Sequence, residues 1–320
     1  MILITGGLGR IGTNIAKHFL DMGKEVLVTG HRNLQVPNFL ASYVGRGLQI
    51  TAMDITDLTT ILEAVKKYKV TSIVHAVSIY EGKGILYQAV GVNVTGSANV
   101  LEAARLMEVG RVTFLSSEAV HQGRKGKTPL KEEEFFWARS DRYIPATKKM
   151  GELLFFIYQK MYKMDIEITR LSRIYGPPYP LGRPIMRMVT AALKGGQTNL
   201  NDINENEGHD FLYVRDCARA IAMVHLAQKP KHAVYNIGFG KLITFGDVAR
   251  TLEKIIPGSV LKLGTGEFST ATDYIAKTEY DIETCLDNSR IKEEFGFVPE
   301  YDLEKGLSAL VAWFQDGSYL

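Results

Sequence analysis

The sequence predicts an α/β protein built on a doubly wound parallel sheet, with a smaller second part assembled toward the C-terminus. Three observations carry that expectation. Short β-rich apolar runs alternate with helical patterns, which is how parallel strands with crossover helices read in sequence. A glycine-spaced turn joins the first run to the first helix. The chain has 320 residues, 46% of them hydrophobic and 10% aromatic, enough to bury a large core as one domain or two interlocked ones.

The elements follow in order. Met1-Ile2-Leu3-Ile4 reads as a buried strand, and Ile11, Ile15, Phe19 and Leu20 give the next helix an apolar stripe that ends at Gly23. Between them lies Thr5-Gly6-Gly7-Leu8-Gly9-Arg10-Ile11-Gly12. Gly6 permits a tight bend, Gly9 lets a pyrophosphate approach the backbone, and Gly12 lets the helix lie close to the strand, so this is a dinucleotide-binding turn. Further strands are expected at 25–28, 48–52, 72–76 and 111–115, and later runs at 165–171 and 233–237 could extend the sheet. Long apolar helices are expected at 93–107 and 147–162. The proline-rich stretch 177–184 breaks regular structure, and 199–208 reads as a polar, acidic loop. No internal repeat or low-complexity tract is visible.

Bulk properties exclude several function classes. The formal charge of +3 is small and the Lys and Arg residues are scattered, so nothing predicts nucleic acid. Cys217 and Cys285 stand far apart without a C-x-x-C spacing or clustered histidines, which argues against a metal site and a disulfide framework. A strand starting at Met1 leaves no room for a signal peptide, and no apolar run approaches the roughly 18 residues of a membrane span. The cytosol is the expected location.

Several landmarks together resemble the epimerase/dehydratase branch of the extended short-chain dehydrogenase/reductase family. They are the glycine turn, Met53-Asp54-Ile55-Thr56-Asp57, His75-Ala76, the helix opening Asn93-Val94-Thr95-Gly96, Leu115-Ser116-Ser117-Glu118-Ala119-Val120, Ile174-Tyr175-Gly176-Pro177, His209-Asp210-Phe211-Leu212-Tyr213-Val214-Arg215-Asp216 and Tyr235-Asn236-Ile237-Gly238. The resemblance covers nearly the whole chain. It implies a Rossmann-type dinucleotide domain at 1–176, with 209–238 returning to it, and a substrate part made from 177–208 and 239–320. The helices 93–107 and 147–162 resemble the family's dimer-forming pair, so a homodimer is expected.

A carboxylate at the end of the second strand usually holds the adenosine ribose of NAD, and basic residues there accommodate the 2′-phosphate of NADP. Here the strand ends Thr29-Gly30-His31-Arg32, with no acid. Arg32 offers a fork for phosphate. Arg10 stands where family members often carry an aromatic residue, expected near that ribose. These features favour NADP, with NAD as the alternative. By resemblance, Asp54 and Ile55 bracket the adenine; the competing reading of Asp54 is a loop cap.

Family chemistry needs a hydroxyl to hold the reacting oxygen, a tyrosine to pass its proton, and a lysine to hold the nicotinamide ribose. Ser117 matches the hydroxyl, and Lys148-Lys149-Met150-Gly151-Glu152 matches the lysine segment through Lys148, with Lys149 as the rival. The tyrosine slot, one helical turn before Lys148, holds Ile144. Tyr143 is one residue too early. If Pro145 is the first helical residue, Tyr143 precedes the helix and is free to reach the site; Glu118, His121, Tyr80 and Tyr175 are other donors. Asn93 resembles the asparagine that kinks its helix and orders a water.

The substrate implied is a polar small molecule, a sugar or sugar nucleotide. Sugar-nucleotide members usually carry Asn before the x-Tyr-Gly-Pro segment and Arg before Asp-Phe, where this chain has Arg173 and His209. Tyr80, Glu118, Arg173 and His209 are the expected substrate contacts, and Tyr213-Val214-Arg215-Asp216 reads as an anchor between the two parts. The function implied is hydride transfer at a carbinol or carbonyl carbon. Ile144 in the tyrosine slot keeps a second reading open, a cofactor-binding sensor or partner-binding protein without dehydrogenase activity.

Overall fold

The computed structural model describes residues 1–80, 85–122, 129–134, 140, 142–265 and 284–317. Among these, seven strands form one sheet: β1 (Ile2–Thr5), β2 (Val26–Gly30), β3 (Leu48–Ala52), β4 (Ser72–His75), β5 (Arg111–Ser117), β6 (Ile166–Leu171) and β7 (Val234–Ile237). Their order is β7-β6-β5-β4-β1-β2-β3, and every pairing is parallel. All six apolar runs expected after the first strand join this sheet.

The named helices are α1 (Arg10–Asp21), α2 (Leu58–Lys67), α3 (Gly96–Leu106), α4 (Tyr143–Tyr162), α5 (Pro184–Leu193), α6 (Val214–Leu226), α7 (Phe245–Ile255) and α8 (Leu303–Gln315). Side chains alternate across a strand, so neighbours along β1 and β2 serve opposite faces. Ile4 and Val28 pack with Ile15 and Phe19 of α1 and with Ile221 of α6. Leu3 and Leu27 pack with Ile61 of α2, Val100 of α3 and Phe155 of α4. Burial on both faces explains why these strands read as continuous apolar runs.

A further core gathers Met186 and Val189 of α5, Val248 and Leu252 of α7, Leu307 and Leu310 of α8, and Leu200 and Ile203. Asp216 joins the C-terminal segment to α6 by accepting from the backbone N–H groups of Glu300 and Tyr301, and Tyr213 stacks on Tyr301 with centroids 4.3 Å apart. Residues 266–283 and 318–320 of the expected substrate part lie outside the described residues.

Three local expectations change. The stretch at 199–208, expected as a loop, largely belongs to a strand, Gly196–Asn204, paired in parallel with Ser259–Gly264. Most of its polar residues are at least partly exposed and only Leu200, Ile203 and Asn204 are buried, which hides the strand from an apolar pattern. The helix expected from Asn93 continues an earlier one, Leu86–Val90, through a π-helical turn, Gly91–Thr95, into α3. Finally, α4 begins at Tyr143, which makes Pro145 its third residue. The first turn of a helix has no internal use for its N–H groups, so proline fits there as well as at the first position.

Candidate active site

At the carboxyl ends of the strands the chain turns one way from β1 to β2 and β3 and then crosses back to β4, the switch point where doubly wound sheets open a crevice. An open cleft of about 770 Å³ lies there. It is lined along its floor by the glycine turn, at one end by His31 and Arg32, and at the other by Ser117, Glu118, Ile144, Lys148 and Arg173.

The glycine turn is shaped by contacts that exclude side chains. Gly6 has φ +64°, a left-handed conformation that favours glycine. A Cβ on Gly12 would lie 2.5 Å from the carbonyl oxygen of Gly6, so α1 can approach the turn only with glycine here. Gly9 is the exposed N-cap; no side chain caps the helix and its first turn carries no acid. The N–H groups of Ile11 and Gly12 thus face the cleft at a helix N-terminus, an environment that suits a pyrophosphate. By that donor set the residues fit a dinucleotide.

At the end of β2, Arg32 makes no hydrogen bond or ion pair among the described residues, while His31 stands 3.6 Å from Asp54. Asp54 and Ile55, expected against the adenine, do not line the cleft. The Asp54 carboxylate accepts from the Thr56 N–H (2.9 Å) and hydroxyl (2.7 Å), and these bonds hold its pKa below the usual carboxylate value. Ile55 is buried against Gly96. The loop-cap reading of Asp54 describes this geometry. Ala76 does line the cleft, its N–H bonded to Thr5.

Arg10 also departs from expectation. Its guanidinium turns away from β2: Nη1 donates to the carbonyl of Ile174 at 2.5 Å and the group lies 5.2 Å from the Tyr179 ring centroid. Asn14, one turn later, donates to Pro177 at 2.7 Å. Arg10 therefore ties α1 to the 174–179 segment rather than reaching the strand end where Arg32 sits.

Ser117 ends β5 and lines the cleft, and its Oγ also accepts from the N–H of Ala119 at 3.2 Å. Lys148 faces it from α4. Its Nζ donates to the Leu115 carbonyl at 2.6 Å and lies 4.8 Å from the Phe114 ring centroid, and burial depresses its pKa to about 8, partly countered by Glu152. Lys149 points elsewhere, to the Gln122 carbonyl and the Ser140 hydroxyl, and does not line the cleft. One turn before Lys148, Ile144 lines the cleft and Tyr143 does not. The Tyr143 hydroxyl donates instead to the backbone carbonyl of Tyr80. The expectation that Tyr143 precedes the helix on a freely placed segment does not hold, because it is already helical.

Asn93, in the π turn, is buried and bonded on three sides: its Oδ1 accepts from Ile79 N–H at 2.8 Å, and its Nδ2 donates to the Ile79 carbonyl and to Thr147 Oγ1, both at 3.1 Å. It lies behind the cleft wall and ties the segment leading to Tyr80 to the residue beside Lys148. Tyr80, Glu118 and Arg173 line the cleft, with Glu118 and Arg173 facing each other at 3.8 Å. His209 does not: it is buried, bonded to Glu207 at 2.8 Å and packed against the edges of Phe211 and Phe245. Tyr175 is also buried, beneath Gly306.

The sequence offers no signal for most of the second wall, Tyr179, Ile185, Phe211 and Phe245; Arg183, which joins them, reads there as a phosphate-path candidate or a solvated helix charge. These residues come from separate segments of the chain, around 179–185, 211 and 245, and no local spacing brings them together.

A parallel doubly wound sheet, a glycine turn on a helix N-terminus and a crevice at the switch point define a Rossmann-type dinucleotide-binding protein. Residues 2–238 match the model of the NAD dependent epimerase/dehydratase family, and the chain belongs to that family, whose members are oxidoreductases, epimerases and dehydratases. It is 25% identical to a UDP-glucuronate 4-epimerase of Thermodesulfobacterium geofontis over 98% of this chain and 96% of that one. It is 26% identical to a dTDP-glucose 4,6-dehydratase of Streptomyces griseus, over 98% of this chain and 93% of that one. Among solved structures, the Thermus thermophilus UDP-glucose 4-epimerase in complex with NAD superposes with a TM-score of 0.81 at 22% identity, covering 98% of both chains.

Proposed function

We propose that this enzyme moves hydride at a carbinol or carbonyl carbon of a polar small molecule, a sugar or sugar nucleotide, with NADP as its dinucleotide. The observation that carries this reading is the cleft itself, which joins an anion-binding glycine turn to a wall bearing Ser117 and Lys148. The cofactor supplies reversible hydride exchange; the chain supplies orientation and charge. Gly6, Gly9, Arg10, Ile11 and Gly12 border the phosphates, with Arg10 bracing the turn from the side, and Ala76 flanks the dinucleotide. Lys148 holds the nicotinamide ribose and Ser117 the reacting oxygen. Tyr80, Glu118 and Arg173 face the substrate, and the names of the relatives favour a nucleotide-linked sugar.

The preference for NADP now rests on Arg32 and the missing strand-end acid, since Arg10 turns away. Titration by nicotinamide fluorescence tests it: NADPH is expected to bind at least about tenfold more tightly than NADH, a difference of about 1.4 kcal/mol. Equal affinities, or an Arg32→Ser variant that binds NADPH as before, refute the assignment. The second reading, a cofactor-binding sensor, is favoured by Ile144 on the cleft wall. Tight binding without cofactor turnover on UDP-glucose, dTDP-glucose or UDP-glucuronate would support it. We also infer a homodimer and a cytoplasmic location. The dimer reading is supported by Met150, Leu153, Ile157 and Met161, which form one exposed apolar stripe along α4. Among the described residues no helix is long and apolar enough to cross a membrane.

A further inference from the structure

We propose that Lys148 is itself the proton-transfer group of this site, giving and taking the proton of the reacting oxygen that Ser117 holds. The proposal rests on the hydride-transfer reading above and adds to it the carrier of the proton.

Residues four apart share a helix face, and Ile144 and Lys148 both line the cleft that Ser117 lines, so this turn of α4 presents to it a hydrocarbon and then an ammonium. Tyr143, rotated by about 100° on the same helix, is committed to the Tyr80 carbonyl. Among the described residues, Lys148 is the lysine that lines this cleft. One of its three N–H groups is fixed on Leu115, whose side chain and that of Ser117 share a face of β5. The other two remain for groups in the cleft.

The surroundings suit proton exchange. Glu152, one turn further on, is engaged by Arg170 at 2.8 Å and by Ser116, so it attracts Lys148 without sharing its proton. From β4, His75 faces the lysine as a neutral ring, held between Thr5 and Ser97. Phe114 covers it from below, Lys149 points away, and Glu118 across the cleft is opposite Arg173. An amine poised near pH 8 is populated in both forms where proton transfer must run both ways.

The balance is simple. When a carbonyl is reduced, hydride reaches its carbon, the π bond opens onto oxygen, and oxygen takes a proton from the Lys148 ammonium. The reduced nicotinamide is oxidised, and the neutral amine recovers a proton from water. The reverse reaction starts from the neutral amine.

The test uses the intact protein with NADPH and phenanthrenequinone as carbonyl probe, followed by nicotinamide absorbance, with NADPH affinity measured separately by fluorescence. In the wild type kcat is expected to fall above about pH 8, as the acid form is lost. Lys148→Arg keeps the charge but holds its proton at every working pH. It is expected to bind NADPH within about threefold of wild type, to lose about 100-fold or more in kcat, and to lose the step. Lys148→Ala is expected to regain turnover with added ethylamine and not with guanidinium, a cation of equal charge that cannot release a proton. A Lys148→Arg enzyme that keeps the rate and the step, or equal rescue by both cations, overturns the proposal while the hydride-transfer reading stands. A wild type that binds NADPH and reduces neither this probe nor a keto-sugar overturns that reading, and the proposal with it.

Discussion

At the scale of single residues, four buried ionisable side chains make opposite demands on stability. His75 and His225 are each pinned between two hydroxyls, and burial pushes both pKa values down to about 3. The unfolded chain takes up their protons first, so their stabilisation is complete above pH 6.5 and is lost as pH falls toward 3. Glu167 and Asp210 are raised by burial, to about 8 and about 6. For these the folded state holds the proton more tightly, so stability is gained as pH falls below each raised value toward the ordinary carboxylate range. Each group changes stability by about 1.4 kcal/mol per pH unit inside its window. Between pH 6 and 5 the two pairs oppose each other, and urea unfolding of the wild type is expected to be nearly level. Glu167→Gln removes one opposing carboxyl, so that variant is expected to lose about 1.4 kcal/mol over the same interval. A variant as level as the wild type would mean that Glu167 is ionised in the fold.

At the scale of elements, the π turn and the start of α4 form one device. The extra backbone of Gly91–Thr95 brings Asn93 into reach of both Ile79 and Thr147, and such bulges are common beside functional sites. Asn93→Ala is expected to cost about 1–3 kcal/mol in chemical unfolding, because the Ile79 N–H is left without its acceptor. It is also expected to weaken NADPH binding, since Lys148 follows Thr147 directly. Unchanged stability and affinity would show that water replaces the side chain at no cost. This device also marks what the sequence could reveal. The strands of the seven-stranded sheet and the glycine turn were legible, because local spacing and apolar pattern determine them, whereas Ser117 and Lys148 came from the resemblance of their segments, and both line the cleft. The start of α4 was not: proline fits any position in a first turn, so Pro145 could not date the helix. The direction of Arg10 depends on a carbonyl more than 160 residues away in the chain. The fate of His209, paired with Glu207, depends on a tight packing of aromatic rings from two segments.

At the scale of the whole molecule, the cleft is lined on one side by the glycine turn beside the sheet and on the other by Ile185, Phe211 and Phe245 of a separate apolar core, so it is assembled between two cores. The exposed stripe on α4 lies on the outer side of the same helix whose inner side carries Ile144 and Lys148. An isologous pairing through this stripe would stack two copies of α4 without touching either cleft. Ile157→Lys, a charge placed on the stripe, is expected to shift the protein from dimer to monomer in sedimentation velocity at micromolar concentration. A wild type that sediments as a monomer refutes the dimer.

The position of β7 carries a consequence for how the chain is made. It pairs with β6 although the whole run from 172 to 233, with α5 and α6, is interposed. During synthesis from the N-terminus, β6 therefore emerges with every residue destined for burial and with one side of its backbone unmatched. An exposed apolar edge of this kind recruits other strands. A nascent chain cut after Gly176 would hold the glycine turn, Ser117 and Lys148 and still be a poor soluble fragment, because the far edge of its sheet is supplied by residues not yet translated.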